Sequence, residues 1–230
     1  MTVPLLAYIE GSDYPHDLRA IHHVWAGSEI LGTAGVFMFL SYLTIPLLTS
    51  VQPDASPSRV VSMKPGLESE REKQFLLRLL GLSQESGWAG GIHNARVRAM
   101  AGQLACNHRQ FAGMEVDHMT YFAGIIALSA LRVHAIRGST IRADLLACYW
   151  SYMQHALSLL GVTLTTPAEI ERDCESFIGK YTFADAVGRL LLGTLVEVYP
   201  QYVKKALPVL FPRTRVVVTA LLEECHAKRS

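Results

Sequence analysis

Apolar residues recur along the chain at the three-and-four spacing of helices, and no run alternates in twos long enough to build a sheet. A first helix is expected from the Asp13-Tyr14-Pro15 start, with Leu18, Ile21 and Trp25 on one face. An apolar stretch follows, densest from Val36 to Leu48 and broken or bent at Pro46. Residues 52–66, rich in proline and serine, read as a loop. Glu68 to Leu82 reads as an amphipathic helix with Phe75, Leu76, Leu79 and Leu80 on one side, closed by Gly81. A glycine turn at Gly87, Gly90 and Gly91 precedes a helix over Ile92 to Gly113. Helices are expected again at Asp117–Arg137, broken at Gly138, and at Ile141–Leu160. Thr166-Pro167-Ala168-Glu169 has the cap, first-turn proline and acid of a helix start. Phe183–Val198 and Pro212–His226 complete the set; Val216-Val217-Val218 alone could suit a strand, but nothing else offers it a partner. The expected fold is all-α: a single domain of about eight helices around a large apolar core, with residues 1–14 as an N-terminal arm.

Composition fits that picture. The chain has 230 residues, half of them hydrophobic and 18% charged, enough for a full core and unlike a disordered tail. The net charge of +1 gives no sign of a nucleic-acid binder. Mean hydropathy is +0.22, which raises the question of a membrane. The run from Ile30 to Pro53 is uncharged and long enough to span a bilayer, yet it carries Gly32, Thr33, Gly35, Ser41 and Thr44 and has no basic flank. A buried core helix is the first reading and a membrane-inserted or membrane-docked one the second. Met1 to Glu10 lacks the basic region and cleavage site of a secretory leader. Cys106, Cys148, Cys174 and Cys225 are widely spaced, which argues against zinc and a disulfide framework and for buried free thiols in a reducing compartment. The expected location is intracellular, cytoplasmic or membrane-associated.

No phosphate loop, dinucleotide fingerprint, nucleophile elbow, zinc-protease helix or aspartate-rich prenyl-diphosphate motif is present. The candidate chemistry lies among nine histidines. Glu115…His118 and Glu223…His226 have the spacing of half a di-iron carboxylate site, with Glu29 or Glu72 as lone carboxylates. His226 near the C-terminus and Glu115 beside Gly113 are poorly placed for it. His108 shares a broad helical face with Arg98, Ala101 and Leu104. A histidine on such a face can ligate haem iron, with Arg98 and Arg109 pairing the propionates. It can equally be an interhelical histidine with a hydrogen-bond partner, the more frequent case.

Several stretches, in order, resemble the latex-clearing-protein and MpaB-type oxygenase superfamily. They are Glu29-Ile-Leu-Gly-Thr-Ala-Gly with Thr44-Ile-Pro-Leu-Leu-Thr, Arg71-Glu-Lys-Gln-Phe75, Gly90-Gly91 with Arg96-Val-Arg98-Ala-Met100, Asp117-His-Met-Thr-Tyr-Phe-Ala-Gly, and Tyr149-Trp-Ser-Tyr152 with Leu159-Leu-Gly-Val162. The likeness spans residues 15 to 225. It implies an all-α oxygenase holding haem b and cleaving carbon–carbon double bonds of a small hydrophobic, prenyl-type substrate. Under it, Arg71 would act on the distal side, His108 would be the axial ligand, and Arg98 and Arg109 would hold the propionates.

Two departures stand against it. The family's Met-His-Ala axial element is replaced by Met100-Ala101-Gly102, so His108 must be brought in by a two-turn shift, with His93 as second choice. Phe75 stands where the family has threonine after the distal arginine. A relative without haem would be a cofactor-independent cyclase or isomerase whose acid or base is a buried Asp117, His118 or His155, with its pKa tuned by an apolar pocket. A di-iron oxidase and a hydrophobic-ligand or membrane-surface binding protein are further alternatives. A second copy of the chain is a plausible partner, given the prolines at 200, 208 and 212.

Overall fold

A computed structural model describes residues 16–43, 74–108, 116–181 and 186–227, and among them every regular element is helical. The helices are α1 (His16–Val24), α2 (Ser28–Leu43), α3 (residues 74–79), α4 (Ala95–His108), α5 (Val116–Ile136), α6 (Ala143–Ser158), α7 (Pro167–Tyr181), α8 (Ala186–Val198), α9 (Pro200–Ala206) and α10 (Pro212–Ala227). The all-α expectation holds. The helices are more numerous than about eight because Pro200 and Pro212 cut the last third into short pieces, with a 3-10 turn, Leu207–Val209, between them. Val216 to Val218 lie within α10, where neighbouring helices decide and β-branching does not. The 1–14 arm, the 52–66 loop, Pro46 and the Asp13–Pro15 start lie outside the described residues.

Local chemistry sets the helix ends. Thr166 and Glu169 form a reciprocal capping box: the Glu169 amide donates to Thr166 Oγ1 at 3.3 Å and the Thr166 amide to Glu169 Oε2 at 3.1 Å. Helix α3 ends on a Schellman turn at Gly81, where Leu82 N–H donates to the Leu77 carbonyl at 2.7 Å. Helix α5 ends the same way, Ser139 N–H donating to His134 O at 3.0 Å. Helix α4 starts later than Ile92. Asn94 Oδ1 accepts from Arg96 N–H at 2.9 Å and so caps the helix, while Gly91–His93 wind into a 3-10 turn before it.

The described residues fall into two compact units. The first draws on Met1–Val24, Gln52–Ala112 and Arg142–Thr163. In it α1 packs along α6, and Leu18, Ile21, Tyr149, Tyr152 and Met153 are buried together with Leu79, Leu80 and Ile92. Two polar side chains cross its centre. Tyr152 OH donates to the Leu79 carbonyl at 2.7 Å and accepts from Ile92 N–H at 3.1 Å, so one hydroxyl ties α6 to both sides of the glycine turn. His22 Nε2 donates to the Gly81 carbonyl at 2.9 Å.

Burial holds the His22 imidazole below its usual pKa, only partly offset by that bond. The unfolded chain therefore takes up the proton first, and stability is lost as pH falls from about 6.5 toward the depressed native value. The wild-type protein should lose up to about 1.4 kcal/mol per pH unit through this group in that window. Urea titrations at pH 7.5 and 5.5 should show a larger loss on acidification for the wild type than for His22→Gln.

The second unit draws on Trp25–Val51, Gly113–Ile141 and Leu164–Ser230. Helix α5 is its axis, with residues 123–130 all buried. Helices α2 and α7 pack on α5, and α9 packs on α2. The described part of the uncharged Ile30–Pro53 run is thus helix α2, with Ile30, Ala34, Phe37, Met38 and Leu40 buried in this unit. Its polar Glu29 is held by Lys205 at 2.9 Å and Arg137 at 3.1 Å, which keep its carboxyl below the usual range. Within Asp117–Ile136, α5 is long and apolar enough to cross a membrane, but so is the core helix of a soluble bundle. Arg132 on α5 donates to Val209 O at 2.8 Å, pairs with Glu171 and lies 4.2 Å over the Phe211 ring, which binds α5, α7 and the Leu207–Val209 turn.

Candidate functional site

The second unit contains a half-open cleft of about 180 Å³ between the N-terminal end of α5 and α7. Asp117, Thr120 and Tyr121 line it from α5, and Asp173, Cys174, Ser176, Phe177 and Lys180 from α7. Helical spacing explains the set: residues three and four apart present one face. The two helices approach closely at Gly124, where a Cβ would lie 2.7 Å from Ile170 Cγ2 and 2.8 Å from Cys174 Sγ.

The cleft has an apolar floor and a charged rim. Tyr121 stacks on Phe177 with centroids 4.6 Å apart, and its hydroxyl donates to the Ser41 carbonyl at 3.2 Å. Burial, with Cys174 and Tyr42 nearby, raises the phenol well above its usual pKa, so it stays neutral. Burial also pushes the Cys174 thiol up to about 12, which leaves it inert as a nucleophile near neutrality. At the rim, Lys180 Nζ lies 3.7 Å from Asp117 Oδ2, both side chains mostly exposed. The arrangement can hold a small apolar body against aromatic rings and set a carboxylate and an ammonium at its polar end.

The sequence candidates distribute unevenly. Asp117 is at the rim, and His118 is buried one residue on, edge-to-face on Phe177 at 5.0 Å. Asp117 and His118 thus share one locality, but of the two only Asp117 lines the cleft, and its side chain is mostly exposed, against the expectation of a buried acid or base. His155 is exposed on α6 in the other unit. Arg98 donates to the carbonyls of Ile92 at 2.9 Å and His93 at 3.0 Å, which makes it a brace for the turn before α4. His93 contacts Asp17 at 3.0 Å. His108 ends α4, its side chain outside the described residues, as are Arg71, Arg109, Glu72 and Glu115. Of the thiols described, Cys174 is buried, but Cys148 is half-buried and Cys106 exposed, against the reading of mostly buried cysteines. Among the described residues no three His, Cys, Asp or Glu side chains group as a metal site.

No histidine lines the cleft, its volume is far short of a porphyrin, and Arg98 is committed to backbone carbonyls. Sequence reasoning missed Lys180, Asp173 and Phe177, because α7 carries no motif. Its start signal at Thr166 could have set its register against α5 only if the pairing of the two helices had been known. Compared with family models, curated proteins and solved structures, the chain matches none.

Proposed function

We propose that this protein binds a small, largely apolar molecule in the α5–α7 cleft, with Asp117 placed to move a proton on it. This is the haem-free isomerase or cyclase alternative, carried by one observation: an aromatic floor beneath a carboxylate–ammonium rim. The volume lies below the roughly 300–1,000 Å³ of pockets for drug-sized ligands, which favours a compact ligand or one partly in solvent. Tyr121 and Phe177 exclude water from its body. Asp117, 3.7 Å from Lys180 at the rim, is the carboxylate placed to act as base, and Lys180 can stabilise charge that develops at the polar end.

The test uses geraniol as a prenyl-type probe. Saturation-transfer NMR should show contact with the wild-type chain, and Thr120→Trp, which fills the cleft, should abolish it without changing the melting temperature. Asp117→Asn should keep the contact and lose any deuterium incorporation into the ligand from heavy water. Contact unchanged in Thr120→Trp refutes the cleft as the site.

The oxygenase reading retains one supporting observation: Val97, Ala101 and Ala105 form the buried side of α4, and His108 lies three residues beyond Ala105. It requires a Soret band in protein made with ample haem precursor, lost in His108→Ala.

A further inference from the structure

We propose that the C-terminal elements of the second unit form a docking face for an anionic lipid surface. From Tyr199 to Leu222 there is no acidic residue, while Lys204, Lys205, Arg213 and Arg215 are basic, in a chain whose net charge is only +1. Among the described residues the exposed large apolar side chains are Ile136, Val198, Tyr199 and Val216, so all but Ile136 fall in or beside this same run. Val216 is 69% exposed, Val198 57% and Tyr199 49%. Helices α9 and α10 each pack on α8 and on the Leu207–Val209 turn, so the run is one locality.

Helix α10 shows how the two features combine. Thr214, Val218 and Leu221 are its buried side. Val216 sits at the centre of the opposite side, with Arg213 and Arg215 flanking it. These arginines occupy the first turn, where the partial positive charge of the helix end disfavours cations, and Glu223 and Glu224 come near the other end. The helix itself gains nothing from that order of charges. Not every cation is available: Lys205 is paired with Glu29, and Arg213 lies against Gly179 on α7. Lys204 and Arg215 are exposed, and Arg215 adds to the field of Arg132 nearby.

Exposed aliphatic side chains and a tyrosine amid cations suit a headgroup layer. There the apolar tips enter the acyl boundary, tyrosine sits at the interface and the cations meet phosphates. A nucleic acid would satisfy the cations but leave Val198 and Val216 facing water. The proposal does not depend on a ligand in the α5–α7 cleft.

Co-sedimentation with vesicles tests this on the full chain. It should bind vesicles of phosphatidylcholine with phosphatidylserine, not phosphatidylcholine alone, and release as salt rises. Each exposed cation is worth roughly fivefold at such a surface, so Lys204→Ala/Arg215→Ala should bind roughly 25-fold more weakly. Tyr199→Ser/Val216→Ser should also weaken binding and leave its salt dependence intact. Absence of binding, equal binding to both vesicle types, or unchanged binding of the Lys204/Arg215 variant overturns the proposal. Binding to duplex RNA in place of vesicles overturns it in favour of a nucleic-acid partner. If the Lys204/Arg215 variant melts below wild type, the headgroup and salt dependence of the unaltered chain decides.

Discussion

Gly91→Ala should destabilise the first unit by about 3 kcal/mol or more. Two costs coincide there. Gly91 has φ +54, a conformation a side chain adopts only with strain of roughly 1–2 kcal/mol. A Cβ at that position would also run into the Tyr152 hydroxyl, which is buried and bonded to Leu79 O and Ile92 N–H. The hydroxyl cannot move aside without leaving both backbone groups unsatisfied, each worth about 1–3 kcal/mol. Tyr152→Phe removes the obstacle together with the bonds. The two substitutions should therefore be strongly non-additive: Gly91→Ala costs much less when combined with Tyr152→Phe, leaving mainly the backbone strain. Urea unfolding of the four proteins of that cycle measures the coupling. An additive cycle would show that the turn yields and the hydroxyl does not matter.

The same turn shows what was legible in the sequence. Gly81, Gly90 and Gly91 announce a break, and the structure has one. The helix signals were local, so they were readable: the Thr166–Glu169 box, the glycine stop at Gly138, and the face of α6 carried by Tyr149, Tyr152, Met153 and Ala156. Asn94 was an equally local signal for the start of α4, passed over in favour of the apolar Ile92. What joins elements was not readable. Nothing in the sequence says that Tyr152 bridges residues 79 and 92, or that His22 reaches Gly81. The surroundings of the candidate residues were unreadable for the same reason. Arg98 looks like an anion partner because it is charged beside a helix histidine, yet its nearest acceptors are two carbonyls in the preceding turn. Asp117 belongs to a cleft only because α7 lies against α5, a pairing that depends on the small Gly124 on one helix and Ile170 and Cys174 on the other.

That pairing makes Phe177→Ala the most damaging change expected in the second unit, at about 3–5 kcal/mol. The ring is nearly fully buried, stacked on Tyr121 at 4.6 Å and met edge-on by His118 at 5.0 Å. Its removal leaves a void that these neighbours cannot readily fill. Tyr121 is anchored by its hydroxyl to Ser41 O, and His118 is fixed on the same helix. Phe177→Leu keeps most of the volume and should cost less than about 1.5 kcal/mol, losing the aromatic geometry alone. The void opens into the cleft, so the alanine variant carries a second signature. An apolar recess floored by Tyr121 can take up a small hydrocarbon in place of the lost ring. Benzene should therefore raise the melting temperature of Phe177→Ala and leave that of the wild type unchanged. A variant that is destabilised but indifferent to benzene would mean that α7 has collapsed onto α5. In that event Thr120, Ser176 and Lys180 would no longer frame a cleft, and geraniol contact should vanish with it.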